Sequence, residues 1–144
     1  MSLKYAFAVN HQNILVDNHF GDSDKFLIYE YSKNSNLVFV HEESNIFKSF
    51  DEEQEHGSKK KAEAIVGLLK KKGVMVLISK QFGKNIIRMN KHFIPIIVSK
   101  NKVSELIISL KPHLNVINDE WTNRTDGFKF FSLRNDIFKR SANK

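Results

Sequence analysis

The chain contains no cysteine, which excludes disulfides, a thiol nucleophile and any thiolate metal site. A metal or iron–sulfur group held here has to be gripped by histidine, carboxylate, backbone amides or charge. Long apolar runs are missing too, since none approaches the ~20 residues of a membrane-spanning helix. The N-terminus lacks the charged start, apolar stretch and small-residue cleavage site of a signal peptide. The expected compartment is therefore the cytoplasm, with no membrane partner. Carboxylates are absent where a two-metal nuclease needs them: Lys4 to Val9 has no acid, Val74 to Ser79 ends in serine, and the intervening helix offers only Glu63. There is no Gly-x-Ser-x-Gly elbow and no glycine-rich nucleotide fingerprint of useful length. These absences point away from an enzyme.

What remains is enough for one domain with a real core: 144 residues, 41% of them hydrophobic. The 23 Lys and Arg outnumber the 16 Asp and Glu, for a formal charge of +7, a balance that favours anionic partners. The runs Lys59-Lys60-Lys61 and Lys70-Lys71-Lys72 fall at the two ends of one helix and read as a solvated face rather than a binding patch. Phe128-Lys129-Phe130-Phe131 has the mixed aromatic and basic look of a nucleic-acid surface, but a packed terminal strand explains it more simply. Nucleic acid is not the expected partner.

The apolar pattern predicts strands at Lys4–Val9, 25–32 and 36–42, the last two joined by a polar turn at 33–35. An exposed acidic stretch, 51–57, leads to Ser58 as N-cap. Ala62, Ile65, Val66 and Leu69 then give one helical stripe over 59–72, ended by Gly73 in the C-cap position. Val74–Ser79 is continuously apolar, as a central parallel strand is. A short helix over 84–90 leads to a strand at Ile94–Val98. A further stripe, Val103, Leu106, Ile107 and Leu110, is stopped by Pro112. This order predicts a three-layer α/β/α fold around a five-stranded mixed sheet, ordered 3-2-1-4-5. Beyond it, residues 113–144 carry Trp121, Phe128, Phe130, Phe131 and Phe138, with a strand expected at 128–133 and a short helix at 134–140. So many rings should leave water, to cover the sheet or to join a partner subunit.

Two loops stand out. Asp17-Asn18-His19-Phe20-Gly21 follows the first strand, placing an imidazole, a glycine and the flanking Asp17 and Asp22 beside strand ends, where open α/β sheets bind ligands. Imidazole is the commonest metal ligand; the plainer reading has His19 capping a turn above a core Phe20. Gln81-Phe82-Gly83-Lys84-Asn85 follows a central strand and opens a helix. It is either an anion cradle of free N–H groups and the Lys84 ammonium or an ordinary tight turn in which Gly83 supplies an unusual dihedral. With strands one and four adjacent, both loops fall at one end of the sheet and share a pocket. His56, at the end of the acidic stretch, is a candidate second ligand or simply exposed.

Lys4-Tyr5-Ala6-Phe7-Ala8-Val9, His19-Phe20-Gly21, Phe26-Leu27-Ile28-Tyr29, His56-Gly57, Gly73 to Ile78, Phe82-Gly83-Lys84-Asn85 and Ile94-Pro95-Ile96-Ile97-Val98 occur in an order that resembles the dinitrogenase iron–molybdenum cofactor biosynthesis family. This is the NifX-like domain, found also at the C-terminus of NifB-type proteins. The likeness runs from about Lys4 to Leu110. It implies a ribonuclease-H-like fold in a domain spanning 1–112, with 113–144 as an extension. It also implies a non-catalytic binding or carrier role for an anionic iron–sulfur or iron–molybdenum-type cluster or its precursor, transiently bound. On that reading His19, Phe20, Gly21, Gly83, Lys84 and Asn85 form the cofactor site, with His19 as metal ligand and His56 as its possible second, and the partners are the cluster or a small anion and cofactor-assembly proteins. The alternative is an interaction or regulatory protein of the same fold that has lost the cluster and works through its aromatic C-terminal segment, as a homo-oligomer through 113–144.

Overall fold

The computed structural model describes residues 3–31, 36–49, 55–123 and 127–140, with residues 55–58 described by their backbone alone. Strands β1 (Lys4–Val9), β2 (Lys25–Tyr31), β3 (Leu37–Ser44), β4 (Val74–Ser79), β5 (Ile94–Val98), β6 (Phe131–Arg134) and β7 (Ile137–Arg140) form one mixed sheet. Its order is β3-β2-β1-β4-β5-β6-β7. The first five strands take the order the sequence predicts, but the sheet has seven strands rather than five. β1, β4, β5 and β6 run parallel, while β1–β2, β2–β3 and β6–β7 are antiparallel.

Helices cover both faces. On β1 the side chains alternate as the pleat requires. Ala6 and Ala8 face helix α1 (Glu55–Lys71), where Ala62, Ile65 and Leu69 meet them with Phe20, Phe26, Leu77 and Phe82. Tyr5, Phe7 and Val9 face the other side, packed with Val103, Leu106 and Leu110 of α3 (Val103–Leu110) and Leu114 and Ile117 of α4 (Leu114–Asn123).

Several elements depart from expectation. α1 begins at Glu55 rather than Lys59, because acidic residues suit the positive end of the helix dipole and a glycine in the first turn costs only about 1 kcal/mol. Ser58 thus lies within the helix, and His56 sits in its first turn rather than in a loop. The rest of the acidic stretch, 51–54, and the turn at 33–35 lie outside the described residues. Gly73 does cap the helix, at φ +78°, its N–H donating to the Lys70 carbonyl at 3.0 Å. α3 ends at Leu110, before Pro112 as expected. Pro112 then sits in a 3-10 turn, Lys111–His113, that leads into a further helix, α4, since proline lacks only an N–H that a first turn does not use. The helix expected at 134–140 is a β-hairpin. Asn135 and Asp136 take φ +52° and +61°, the left-handed pair that a two-residue hairpin loop demands.

The aromatic extension belongs to the same core. Phe128 and Phe131 are buried. Trp121 stacks on Phe128 at 4.7 Å, and Phe138 lies between Phe131 (5.0 Å) and His113 (4.2 Å). At the opposite edge of the sheet, Val38, Phe39 and Val40 of β3 remain largely exposed.

Candidate functional site

The fifteen-residue connection between β1 and β2 runs across the carboxyl ends of the parallel strands, and backbone bonds hold it there. Val16 N–H donates to the Ala8 carbonyl (3.2 Å), Leu15 N–H to Asn101 (2.9 Å) and Phe20 N–H to Gln81 (2.9 Å), while Asp24 N–H returns to Val9 (3.0 Å). His19 pairs with Gln81 as a one-residue parallel bridge, extending the β1–β4 alliance past the strand ends. Phe20–Asp22 then form a 3-10 turn. Phe20 is 1% exposed and stacks between Phe26 (4.9 Å) and Phe82 (5.3 Å). That sandwich anchors the turn and leaves the neighbouring His19 at the surface.

His19 and Gly83 touch. A Cβ built on Gly83 would lie 2.7 Å from Cε1, 2.8 Å from Nδ1 and 3.1 Å from Nε2 of the imidazole. Gly83 also has φ +67°, a conformation costly for other residues. Space and dihedral therefore demand glycine independently. The imidazole is exposed and has no hydrogen-bond or ion-pair partner among the described residues. The two loops thus meet at one sheet end. Gly83–Asn85 is a 3-10 turn leading into only four α-helical residues, α2 (Ile86–Met89), instead of a helix over 84–90. The dipole of so short an element is slight, and the positive potential at this turn comes chiefly from the exposed Lys84. Asn85 is oriented by Arg88, whose guanidinium donates to its Oδ1 at 2.9 Å.

Beneath the imidazole lies a recess of about 20 Å³, floored by Ala62, Ile65, Phe82 and Met89, roughly the room of one water. One wall is Lys61, a residue the sequence pattern assigned to a solvated face. Its side chain is 5% exposed. The ammonium donates to Asp22 Oδ1 at 2.7 Å and to the Lys48 carbonyl at 2.9 Å. The signal was present: Lys61 precedes Ile65 by four residues, so it continues the buried stripe by one turn. Gly21 lets α1 approach, since a Cβ there would lie 3.3 Å from Ile65 Cδ1. Gly21 and Phe20 are thus packing elements of the site rather than exposed contacts. Asn45, a second residue that sequence reasoning missed, donates through Nδ2 to the carbonyls of Gly21 and Ser23, both at 2.9 Å.

On the other side of the His19 strap a crevice of about 380 Å³ opens at the ends of β1, β4 and β5. Its three carboxylates are each neutralised: Asp17 by Lys80 (2.7 Å), Asp22 by Lys61, and Asp24 by Lys48. The Lys48 ammonium holds the Asp24 carboxyl below the usual carboxylate range, with help from His11. Asp17 turns towards solvent, at 87% exposure, whereas Asp22 turns inward to Lys61.

Among the described residues no three His, Asp or Glu side chains are grouped to hold a metal ion. The His56 side chain lies outside the described residues. The described donors do not enclose a bare ion, and His19 presents a single exposed imidazole at the mouth.

The carboxyl ends of the parallel strands, where His19 and Gly83 meet, are where open α/β sheets commonly bind ligands. The profile of the dinitrogenase iron-molybdenum cofactor family matches residues 1–111, and the chain belongs to that family. No curated protein and no solved structure matches it significantly. Among the described residues no helix is long and apolar enough to cross a membrane.

Proposed function

We propose that the protein is a non-catalytic cytoplasmic carrier of an anionic iron–sulfur or iron–molybdenum-type cluster, or its precursor, which it passes to cofactor-assembly proteins. The cluster is cargo: it docks on the surface at the His19–Gly83 mouth, because the recess beneath admits no more than a water. His19 supplies one ligand nitrogen, and Lys84 and the Gly83–Asn85 turn supply positive potential towards the cluster's negative charge. A single imidazole, not reinforced by thiolates, suits a protein that must release what it binds.

The observation that carries this reading is the exposed imidazole seated against Gly83, with no hydrogen-bond or ion-pair partner among the described residues. Family membership supplies the cargo class. The order of the first five strands accords with a ribonuclease-H-like sheet stripped of nuclease carboxylates. Phe128 and Phe131 are buried in this chain's own core, which favours the carrier reading over assembly through the C-terminal rings.

The test is an anaerobic titration of the apo-protein with isolated iron–molybdenum–sulfur cluster, followed by visible absorption and electron paramagnetic resonance. His19→Ala should weaken binding by at least roughly tenfold while changing stability by less than about 0.5 kcal/mol. Equal affinity in the two proteins would sink the ligand role.

A further inference from the structure

α1 and α2 lie side by side on the face that carries the His19 mouth, and a groove of about 350 Å³ runs between them. Lys59 and Glu63 line it from α1; Arg88, with Lys91 and His92 just beyond α2, lines it from the other side. Ala62 and the half-buried Val66 form an apolar floor. Lys70 extends the row at the far end, its ammonium 3.4 Å from His92 Nδ1. Lys59, Lys70, Arg88 and Lys91 have no carboxylate partner among the described residues, unlike Lys25, Lys48, Lys61, Lys72, Lys80 and Lys100. Among the described residues, Glu63 is the one carboxylate in the lining.

We propose that this groove docks an acidic, amphipathic segment of a partner protein. The cations form a row, since Lys59 and Lys70 stand about 16 Å apart along α1 at ~1.5 Å per residue. A compact anion needs donors converging within about 3 Å of one point, which a row does not give. An apolar floor between basic walls matches a helix or extended segment with aliphatic side chains inward and carboxylates outward. A nucleic-acid strand fits less well. Among the described residues no Phe, Tyr or Trp lines the groove for base stacking, and Glu63 would face its phosphates. Ala62 also lines the recess under His19, and Arg88 is bonded to Asn85 at the mouth. A docked partner therefore sits beside the mouth. Its use in cargo transfer rests on the proposed function, whereas the docking itself does not.

The probe is a fluorescein-labelled synthetic peptide of about 14 residues, four helical turns, with Glu on one face and Leu on the other. Its binding to the full-length protein is read by fluorescence anisotropy at ~50 and ~200 mM salt. Arg88→Glu with Lys91→Glu should weaken binding at least roughly tenfold, and the milder Arg88→Gln with Lys91→Gln several-fold. The control Lys111→Glu with Lys139→Glu makes the same change in net charge away from the groove and should stay within about twofold. Circular dichroism confirms that each variant is folded. His19→Ala should leave peptide affinity unchanged, so failure of the cluster titration and failure of docking are separate results. The proposal is overturned if both glutamate pairs weaken binding equally, if the peptide does not bind below about 1 mM, or if an oligothymidylate of similar length binds more tightly through Arg88 and Lys91.

Discussion

On one side of the sheet β1 presents Tyr5, Phe7 and Val9, and on the other Ala6 and Ala8. The large side chains meet α3, α4 and the C-terminal rings in a continuous apolar core. The small ones let α1 come close, and at its upper end this layer takes in a lysine, a carboxylate and the turn that carries His19. The first face is built to exclude water; the second trades some apolar contact for charged groups at its rim. On the proposed function, stability and binding are thus divided between two sides of the same strands, so substitutions on the two sides should separate in what they disturb.

The largest effect is expected on the apolar side. Phe131→Ala removes a ring that is 1% exposed and stacked against Phe138, and should cost about 3–5 kcal/mol in urea unfolding. Cluster affinity, measured on protein that remains folded, should be unchanged; a parallel loss would mean that the two faces are not independent. Next comes Lys61→Met, which keeps the buried stem but leaves Asp22 without its ammonium. Asp22 is 33% exposed, so the cost should be about 1–3 kcal/mol rather than that of a fully buried pair. Adding Asp22→Asn should recover part of it, and no recovery would place the loss in packing alone. Gly83→Ala should cost about 1–2 kcal/mol from its dihedral, and it also pushes the imidazole aside. Its signature is a shifted His19 ring resonance in the NMR spectrum together with weaker cluster binding; an unmoved ring would refute the seat.

The smallest effect is one of acidity. The folded Asp24 carboxyl titrates below its ordinary value because of Lys48. Its contribution to stability is therefore complete above the unfolded carboxylate pKa of about 3.9 and disappears as pH falls through the lower folded value. The stability difference between wild type and Asp24→Asn should be flat from about pH 5 to 7 and shrink below about pH 4. A difference that grew on acidification would reverse the assignment.

Strand periodicity made β1, β4 and β5 legible in the sequence, because buried parallel strands are apolar throughout and have few competing readings. Adjacency of β1 and β4 followed, and with it the meeting of His19 and Gly83. What the pattern missed has local causes. Lys61 was hidden in a lysine run whose other members are exposed, and only its register against Ile65 marks it. The β6–β7 hairpin was obscured because Asn135-Asp136 sits in a segment whose strands are four residues each, too short for alternation to show. Pro112 marked the end of α3 but hid the start of α4, because proline suits the first turn of a helix as readily as it follows an end. The reach of α1 back to Glu55 depended on acids and a glycine whose preferences are weak.

The seat of His19 lies where segments distant along the chain converge. Tyr5 pairs with Tyr29 on one side and with Val76 on the other. The second pairing closes a loop of about 70 residues, and such closures must be made before their contacts can reward them. The β1–β2–β3 meander draws on near neighbours alone and can assemble earlier. During synthesis, then, the imidazole exists for some time without its platform: a chain emerging as far as β3 carries His19 but not Gly83, and cannot yet form the mouth. On the proposed function, capture of cargo waits for completion of the fold, because the mouth needs both His19 and Gly83.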